Sequence, residues 1–579
     1  MFYFALILKP MATTKWSIRS LLKKVGQTCW FYQPAVLTGI FIGFSYIPFP
    51  PWASLFAFVP LWWLWLRAKN WRQVFIAGWV AQFVLTVIGF DWVLHTIHVF
   101  GMMPWWISTL GFIGFCSFAN LDVAIAGLAW WLITQKILHF EINKRNLGRH
   151  LILIAICTLF AKDWYPTIFE WNYGYPFLWM HWPVAQVAEL IGFKGLSDIV
   201  ILLNALSFLV IFHWREKVGR RAAMALVTVV VLFNLAGYAL LKSLPKPDAK
   251  VNALIVQANI GNLDKIYAEY GWGFRNYILN KFESETKAGL ADAAKNHVTV
   301  DFVVWPETAY PYPLDQRMWQ IQPNYPQTAQ PLLNLAHASN AQFLVGGFGY
   351  SPKDNKPTNT FYIVQSNNTI QPDPYYKTDL LAFGEYIPFG NWFPKLYQWI
   401  PAADFARGPG PVVKKLPLPQ NDHIPPFTVL KVGPEICYEG IFSSFARGIA
   451  NKGAQIFVNI NNDSWYGDWQ EPYQNFYMTL ARAVEYGRPM VRSTNTGISG
   501  VMLPNGKVLG TATGTQKASP IYKEWYGVYR IPYLKHPSAT GYQKFPWLLH
   551  ALFVLLFGIV IFTRGYKNGA DTSDLGNKA

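Results

Sequence analysis

Eight apolar runs frame this chain: seven before residue 245 (34–47, 52–66, 74–99, 105–137, 150–161, 184–212 and 222–241) and one near the C-terminus, 545–562. No other feature constrains the fold as strongly. Crossing a bilayer takes about 20 apolar residues, and in hydrocarbon each backbone N–H and C=O must be satisfied within the segment, which selects helices. The first, second and fifth runs are short by that measure, and the fourth is long enough to tilt or to extend along the interface. The runs together predict a polytopic α-helical membrane protein of about eight spans.

Charge tests that reading. The 579 residues carry a formal net charge of +17, which by itself would suit a nucleic-acid partner. Its distribution excludes one, because many of the basic residues flank apolar runs. With the N-terminus inside, the inside segments hold Lys9, Lys15, Arg19, Lys23, Lys24, Arg67, Lys69, Arg72, Lys136, Lys144, Arg145, Arg149, Arg215, Lys217, Arg220, Arg221, Arg564, Lys567 and Lys578, while the short outside loops hold Lys162 alone. Eight spans with both termini inside satisfy the positive-inside rule. The segments expected are a basic cytoplasmic leader at 1–33, seven transmembrane helices within 34–245, an extracytoplasmic domain at 246–544, a last transmembrane helix at 545–563 and a cytoplasmic tail at 564–579. Met1 and Met11 are both candidate starts.

The 246–544 block has a different grammar. Residues 251–260, 301–305, 343–350, 360–364, 427–432, 455–460 and 489–493 read as strands, and 274–297, 328–339, 440–452 and 473–487 as helices. This alternation predicts an α/β layered domain. Asn505-Gly506 reads as a type I′ hairpin turn.

Three strand-like runs end on chemistry. Trp305-Pro306-Glu307 ends one, Tyr375-Tyr376-Lys377 another, and Glu435-Ile436-Cys437-Tyr438-Glu439 a third. The remaining cysteines (Cys29, Cys116 and Cys157) lie in or beside apolar runs, and no His/Cys cluster has metal-ligand spacing. A thiol needs activation to attack a carbonyl. A neighbouring carboxylate can act as its base, and the product of attack is a thioester. A fixed ammonium can stabilise the oxyanion that forms. Cys437, Glu307 and Lys377 are the candidate nucleophile, base and oxyanion partner. No P-loop or dinucleotide fingerprint is present, and no cofactor is expected.

The order Trp305-Pro306-Glu307, Lys377, Phe383-Gly384-Glu385-Tyr386-Ile387-Pro388, Ile436-Cys437-Tyr438-Glu439, Asn462-Asp463-Ser464-Trp465-Tyr466-Gly467 and Arg492-Ser493-Thr494-Asn495-Thr496-Gly497 resembles the apolipoprotein N-acyltransferase family, over nearly the whole chain. The resemblance implies a nitrilase-like αββα sandwich between membrane helices and a Glu307-Lys377-Cys437 triad. It further implies that Glu385 supports the lysine and the oxyanion, that Tyr438 and Glu439 serve activity after the nucleophile, and that Asn359 belongs to the site's surroundings. The implied reaction is ping-pong: a phospholipid acylates Cys437, and the α-amino group of a diacylglyceryl-cysteine at a lipoprotein N-terminus takes the acyl chain. The implied setting is a bacterial inner membrane with the domain on its periplasmic face and a monomer as the default state. The chain departs from the family pattern at Ile266, at Asp379 and Ala382, and at Asn475. The same three residues would also serve a membrane-anchored nitrilase-like amidase or an acyltransferase with another amine acceptor. A transporter or assembly factor with a vestigial domain is the non-enzyme alternative.

Two charged groups in the apolar half are singled out as well. Asp91, His95 and His98 share a helix face, and Lys194 and Asp198 are expected to pair at i and i+4.

Overall fold

The computed structural model describes residues 18–261, 272–315, 325–351, 353–390, 392–399 and 403–562. The positions of Ile266 and of the 564–579 tail lie outside them. Among the described residues, four helices are long and apolar enough to cross a membrane: Trp71–Gly89, Trp105–Ile137, Pro183–His213 and Lys217–Ser243. Shorter helices, among them Val59–Arg67, Leu147–Trp164 and Leu548–Phe562, pack with them. The helix Ile18–Gly43 runs through the boundary expected at residue 33. The fourth apolar run is interrupted at 119–121, where Asn120 turns its amide onto Thr86 Oγ1 at 2.9 Å.

The strands among the described residues form two sheets. Strands β1 (Ala249–Gln257), β2 (Phe302–Val304), β3 (Gln342–Ser351), β4 (Lys356–Gln365), β5 (Thr369–Ile370), β6 (Tyr375–Tyr376) and β12 (Trp525–Tyr533) make the first, in the order β12-β1-β2-β3-β4-β5 with β6 on β4. Strands β7 (Lys414–Pro417), β8 (Val429–Ile436), β9 (Ile456–Asn461), β10 (Met490–Thr494) and β11 (Gly500–Met502) make the second, in the order β11-β10-β9-β8-β7. The pairs β1/β2, β2/β3, β8/β9 and β9/β10 are parallel, each joined through a helix.

Side-chain alternation sets the layers. Val251, Ala253, Ile255, Phe302, Val304, Leu344, Phe361 and Ile363 face the second sheet in one continuous core. Their neighbours Leu254, Val256, Val303, Phe343, Val345 and Tyr362 face the other way, onto Ile278, Leu279 and Phe282 of the Trp272–Lys295 helix and Leu332 and Ala336 of the Tyr325–Ser339 helix. On the far side the helices Ser443–Asn451 and Glu471–Tyr486 cover the second sheet through Phe445, Ile449, Leu480 and Val484. This is a four-layer αββα sandwich.

Two local expectations are corrected. The 440–452 helix is split: a 3-10 turn covers Cys437–Ile441, and the α-helix begins at Ser443, because extended backbone at Phe442 separates them. The Asn505-Gly506 pair does not form a type I′ turn. The Gly506 N–H donates to the Leu503 carbonyl at 2.9 Å, with Gly506 at φ +72° and Asn505 outside the left-handed region. Proline at 504 holds φ negative and so moves the turn one residue earlier.

The Glu471–Tyr486 helix joins the sandwich to the membrane half. Glu485 accepts the Phe193 N–H at 2.9 Å where the Ala188–His213 helix breaks at Gly192. Gln474 donates to the carbonyls of Ile47 (3.0 Å), in the turn after the Ile18–Gly43 helix, and of Gly89 (3.1 Å), at the end of the Trp71–Gly89 helix, and accepts from Trp92 Nε1.

Candidate active site

Open α/β sheets present ligands at the carboxyl ends of their strands, and all three candidate residues lie there. Glu307 follows β2, Lys377 follows β6, and Cys437 follows β8. The strands bring them from two different sheets into one buried site: Glu307, Lys377 and Cys437 are 5%, 1% and 6% exposed.

Two side chains order the charged half. Asn359 on β4 donates to Glu307 Oε1 at 2.6 Å and to Glu385 Oε1 at 3.2 Å. Lys377 Nζ lies 2.8 Å from Glu385 and 3.6 Å from Glu307 Oε1. Glu385 is held in turn by the Leu381 N–H at 2.8 Å. Gly346 on β3 allows this approach, since a Cβ there would lie 2.4 Å from the Pro306 carbonyl oxygen and 2.7 Å from Glu307 Cα.

The nucleophile sits on a strained elbow. Cys437 has φ +55°, the left-handed region that side chains avoid. Such strain costs about 1–3 kcal/mol and persists where the surroundings over-determine it. Asn459 Nδ2 donates to the Cys437 carbonyl at 3.1 Å. Glu439 Oε2 accepts the Ile436 N–H at 2.8 Å. Its other oxygen accepts the Tyr375 hydroxyl at 2.6 Å and the N–H groups of Thr378 (2.5 Å) and Asp379 (3.1 Å). Glu439 thus ties the cysteine elbow to the residues on both sides of Lys377. Burial raises its carboxyl to about 7 against these hydrogen bonds, which favour the ionised form.

Electrostatics keep the resting thiol protonated. Burial pushes Cys437 well above its ordinary value, and Glu307 adds to the rise; Lys377 acts against both. Burial alone would lower Lys377, yet a thiolate at Cys437, whenever it forms, and the neighbouring Glu385 and Glu307 carry it upward overall. The site therefore holds a thiol and an ammonium at rest.

Above the thiol is a cavity of about 30 Å³, walled by aromatic residues of the membrane half and of the domain, including Phe90, Trp92, Phe169, Tyr438 and Tyr466. It has room for water and none for an acyl chain. Tyr438 donates its hydroxyl to the Ile168 carbonyl and meets Phe169 edge-on at 5.8 Å. Asn475 also lines this cavity and donates to Asp463 (3.2 Å) and Glu471 (2.9 Å). Asp379 is in place through its backbone bond to Glu439, and Ala382 bridges Tyr386.

The two groups in the apolar half fare differently. His98 stacks on Trp105 and bonds the Met103 carbonyl, His95 lies against Gly467, and Asp91 is exposed, so the three form no cluster. Lys194 does not pair with Asp198. It takes Glu170 at 2.7 Å, and Asp198 lies 3.8 Å from Lys162, because folding brings closer partners from other segments. Two further features escaped the sequence reading: the fully buried Asp463–Arg492 pair, with contacts at 2.8 and 3.1 Å, and Glu435, buried without a hydrogen bond just before the nucleophile. Asp463 and Arg492 stand in the motifs quoted above, and nothing in their spacing pairs them.

A family model described as carbon-nitrogen hydrolase matches residues 249–522, and one described as apolipoprotein N-acyltransferase N-terminal domain matches residues 38–206. The chain is 39% identical over 543 residues to the apolipoprotein N-acyltransferase of Bdellovibrio bacteriovorus, covering 92% of this chain and 93% of the relative. It is 28% identical over 482 residues to that of Rickettsia prowazekii, covering 82% and 88%. Among solved structures, an amidase from Nesterenkonia sp. is similar over 50% of this chain and 92% of its own, at 17% identity and a TM-score of 0.33.

Proposed function

The chain belongs to the apolipoprotein N-acyltransferases, and from that membership we propose how its residues carry out the acyl transfer. The acyl donor is a phospholipid. Cys437 Sγ attacks its ester carbonyl while Glu307 takes the thiol proton. Lys377, fixed by Glu385 and Glu307, faces the oxyanion as it forms. The tetrahedral adduct expels the lysophospholipid oxygen, which takes the proton from Glu307 and leaves an acyl thioester. The α-amino group of a diacylglyceryl-cysteine then attacks the thioester. Glu307 takes the amine proton and returns it to the departing sulfur, so the enzyme is regenerated and an amide is released.

The observation that carries this reading is the placement of Cys437. It stands on a strained elbow beside an Asn359-ordered row of Glu307, Lys377 and Glu385, and it opens toward a wall that aromatic residues between the apolar helices help to build. Reactants held in a bilayer meet such a site at high local concentration and in fixed orientation. Further parts of the proposal are about eight spans, the segment boundaries read from the sequence, a sandwich on the extracytoplasmic face of the inner membrane, and a monomer. Glu385, Tyr438, Glu439 and Asn359 position the triad.

Full-length protein incubated with phospholipid alone is expected to gain one acyl chain on the peptide containing Cys437 and to lose it when a diacylated lipopeptide is added. Cys437→Ala, folded and membrane-inserted, is expected to give no triacylated product. Triacylated lipopeptide from that variant would remove the thioester from the mechanism, and release of free ammonia and acid from an amide, without lipopeptide acylation, would favour an amidase.

A further inference from the structure

The wall of the Cys437 cavity carries four carboxyl and amide side chains that the triad does not use: Glu170, Glu471, Gln474 and Asn475. Three of them are committed. Glu170 holds Lys194 at 2.7 Å. Gln474 gives its amide to Ile47, Gly89 and Trp92. Asn475 donates to Asp463 and Glu471 and accepts from Thr479 (3.2 Å) and Arg492 (3.4 Å). Glu471 is different. It is 5% exposed; Oε1 accepts from Asn475 at 2.9 Å, while Oε2 is buried without a hydrogen bond. The Tyr46 hydroxyl, which points to the Asn172 backbone, is the wall's other buried polar atom without one.

The backbone holds Glu471 in place. Gln470, just before it, has φ +57° and donates to the Ile88 carbonyl at 2.9 Å, and Pro472 follows it in the first helical turn. Two carboxyls here share one guanidinium, and Asp463 has it. Arg492 lies 2.8 and 3.1 Å from Asp463, which also accepts from Asn461 (2.5 Å) and Asn475 (3.2 Å). Donors favour the ionised form, so the proton stays with the carboxyl that has one donor, Glu471. Burial, and after it the Asp463 charge, hold Glu471 well above its ordinary value, against Arg492, Asn475 and the helix N-terminus. Burial raises Asp463 as well, and less. With Oε1 accepting from Asn475, the proton belongs on Oε2.

An ester whose carbonyl carbon meets Cys437 Sγ turns its carbonyl oxygen to Lys377, which lies outside the cavity wall. Its alkoxy oxygen and acyl chain are then left on the cavity side. The acyl chain accepts no hydrogen bond; the alkoxy oxygen does. We propose that the Glu471 Oε2–H donates a hydrogen bond to the alkoxy oxygen of the scissile phospholipid ester, which makes Glu471 a catalytic residue of the first half-reaction. The bond strengthens as negative charge grows on that oxygen during collapse of the tetrahedral adduct, so it acts on the transition state more than on bound substrate. Glu471 keeps its proton throughout, and Glu307 delivers the one that leaves with the lysophospholipid. The inference rests on the acyl-transfer reading above.

The test is single-turnover acylation of Cys437 in the full-length protein with two donors of one acyl chain: a phospholipid, and a p-nitrophenyl ester, whose leaving oxygen needs no stabilising bond. Glu471→Met keeps the length and removes the donor. It is expected to slow the phospholipid reaction at least about tenfold, the scale of a hydrogen bond to a charged group, and the nitrophenyl reaction less than about threefold. Glu471→Gln can turn its oxygen to Asn475 and its NH2 to the cavity, and is expected to stay within about threefold of the parent with both esters. A phospholipid rate for Glu471→Met equal to the parent's would overturn the inference. So would an equal loss with both esters, which marks a structural role, or a Glu471→Gln as slow as Glu471→Met. Should Glu471→Met fail to fold, the infrared difference between parent and Glu471→Gln decides: the C=O stretch of a protonated carboxylic acid is expected, and a carboxylate stretch in its place would overturn the inference. Absence of a thioester in the parent would refute the acyl-transfer reading itself, whereas a thioester formed equally fast by parent and Glu471→Met would overturn this inference alone.

Discussion

Glu439→Gln isolates the link between the cysteine elbow and the lysine strand. The carboxylate accepts four hydrogen bonds, three on Oε1 and one on Oε2, and donates none. An amide of the same shape has one acceptor oxygen. Its less costly orientation keeps that oxygen on Tyr375, Thr378 and Asp379 and turns the NH2 toward the Ile436 N–H, two donors facing each other where 2.8 Å now separates donor and acceptor. A buried donor left without an acceptor costs about 1–3 kcal/mol. The loss falls on the peptide next to a residue at φ +55°, whose strain that bond helps to hold. Expressed in the transition state, about 1–3 kcal/mol is roughly a 5- to 150-fold fall in the rate of thioester formation. The assay is mass-resolved acylation of Cys437 in single turnover, with phospholipid saturating so that kcat rather than KM is read, and a thermal melt in parallel. A rate within about twofold of the parent enzyme would refute the argument that this bond holds the elbow. A lowered melting temperature with an unchanged rate would reduce Glu439 to a stabilising role.

Gly346→Ala places a methyl 2.4 Å from the Pro306 carbonyl oxygen and 2.7 Å from Glu307 Cα; overpacking of this kind costs about 1–3 kcal/mol, and steady-state kinetics should show kcat falling more than KM. With its thiol held well above the ordinary value, Cys437 is expected to react with iodoacetamide at a rate that rises about tenfold per pH unit through pH 9, and a plateau below pH 8 would mean that Lys377 already holds a thiolate. Glu435 is raised from 4.5 to about 8, first by burial. A carboxyl raised in the folded state binds more protons there than when unfolded, so its contribution is full below about pH 4.5 and is lost as pH rises to about 8. The ceiling is about 5 kcal/mol. Scanning fluorimetry should show the melting temperature falling across that window, and Glu435→Gln should flatten the fall; parallel curves for the two proteins would exclude Glu435 as its cause.

Local sequence dictates the elements and the chemistry at their ends. Consecutive residues carry periodicity, so β1, β2, β3, β8, β9 and β10 and the helices between them are legible from alternation alone, as are Glu307, Lys377 and Cys437 at strand ends. Strand β12 was not read. It closes the first sheet by running antiparallel to β1, with Ala249 opposite Tyr533 and Gln257 opposite Trp525, a pairing no local window contains. Which side chains meet is settled by folding alone. Glu439 takes Tyr375 from 64 positions away, Gln474 takes the Ile47 carbonyl from 427, and Lys194 leaves its helical neighbour for Glu170. A hydrogen bond or ion pair depends on distances of a few ångströms in space, and spacing along the chain constrains those distances only within a helix turn or a strand.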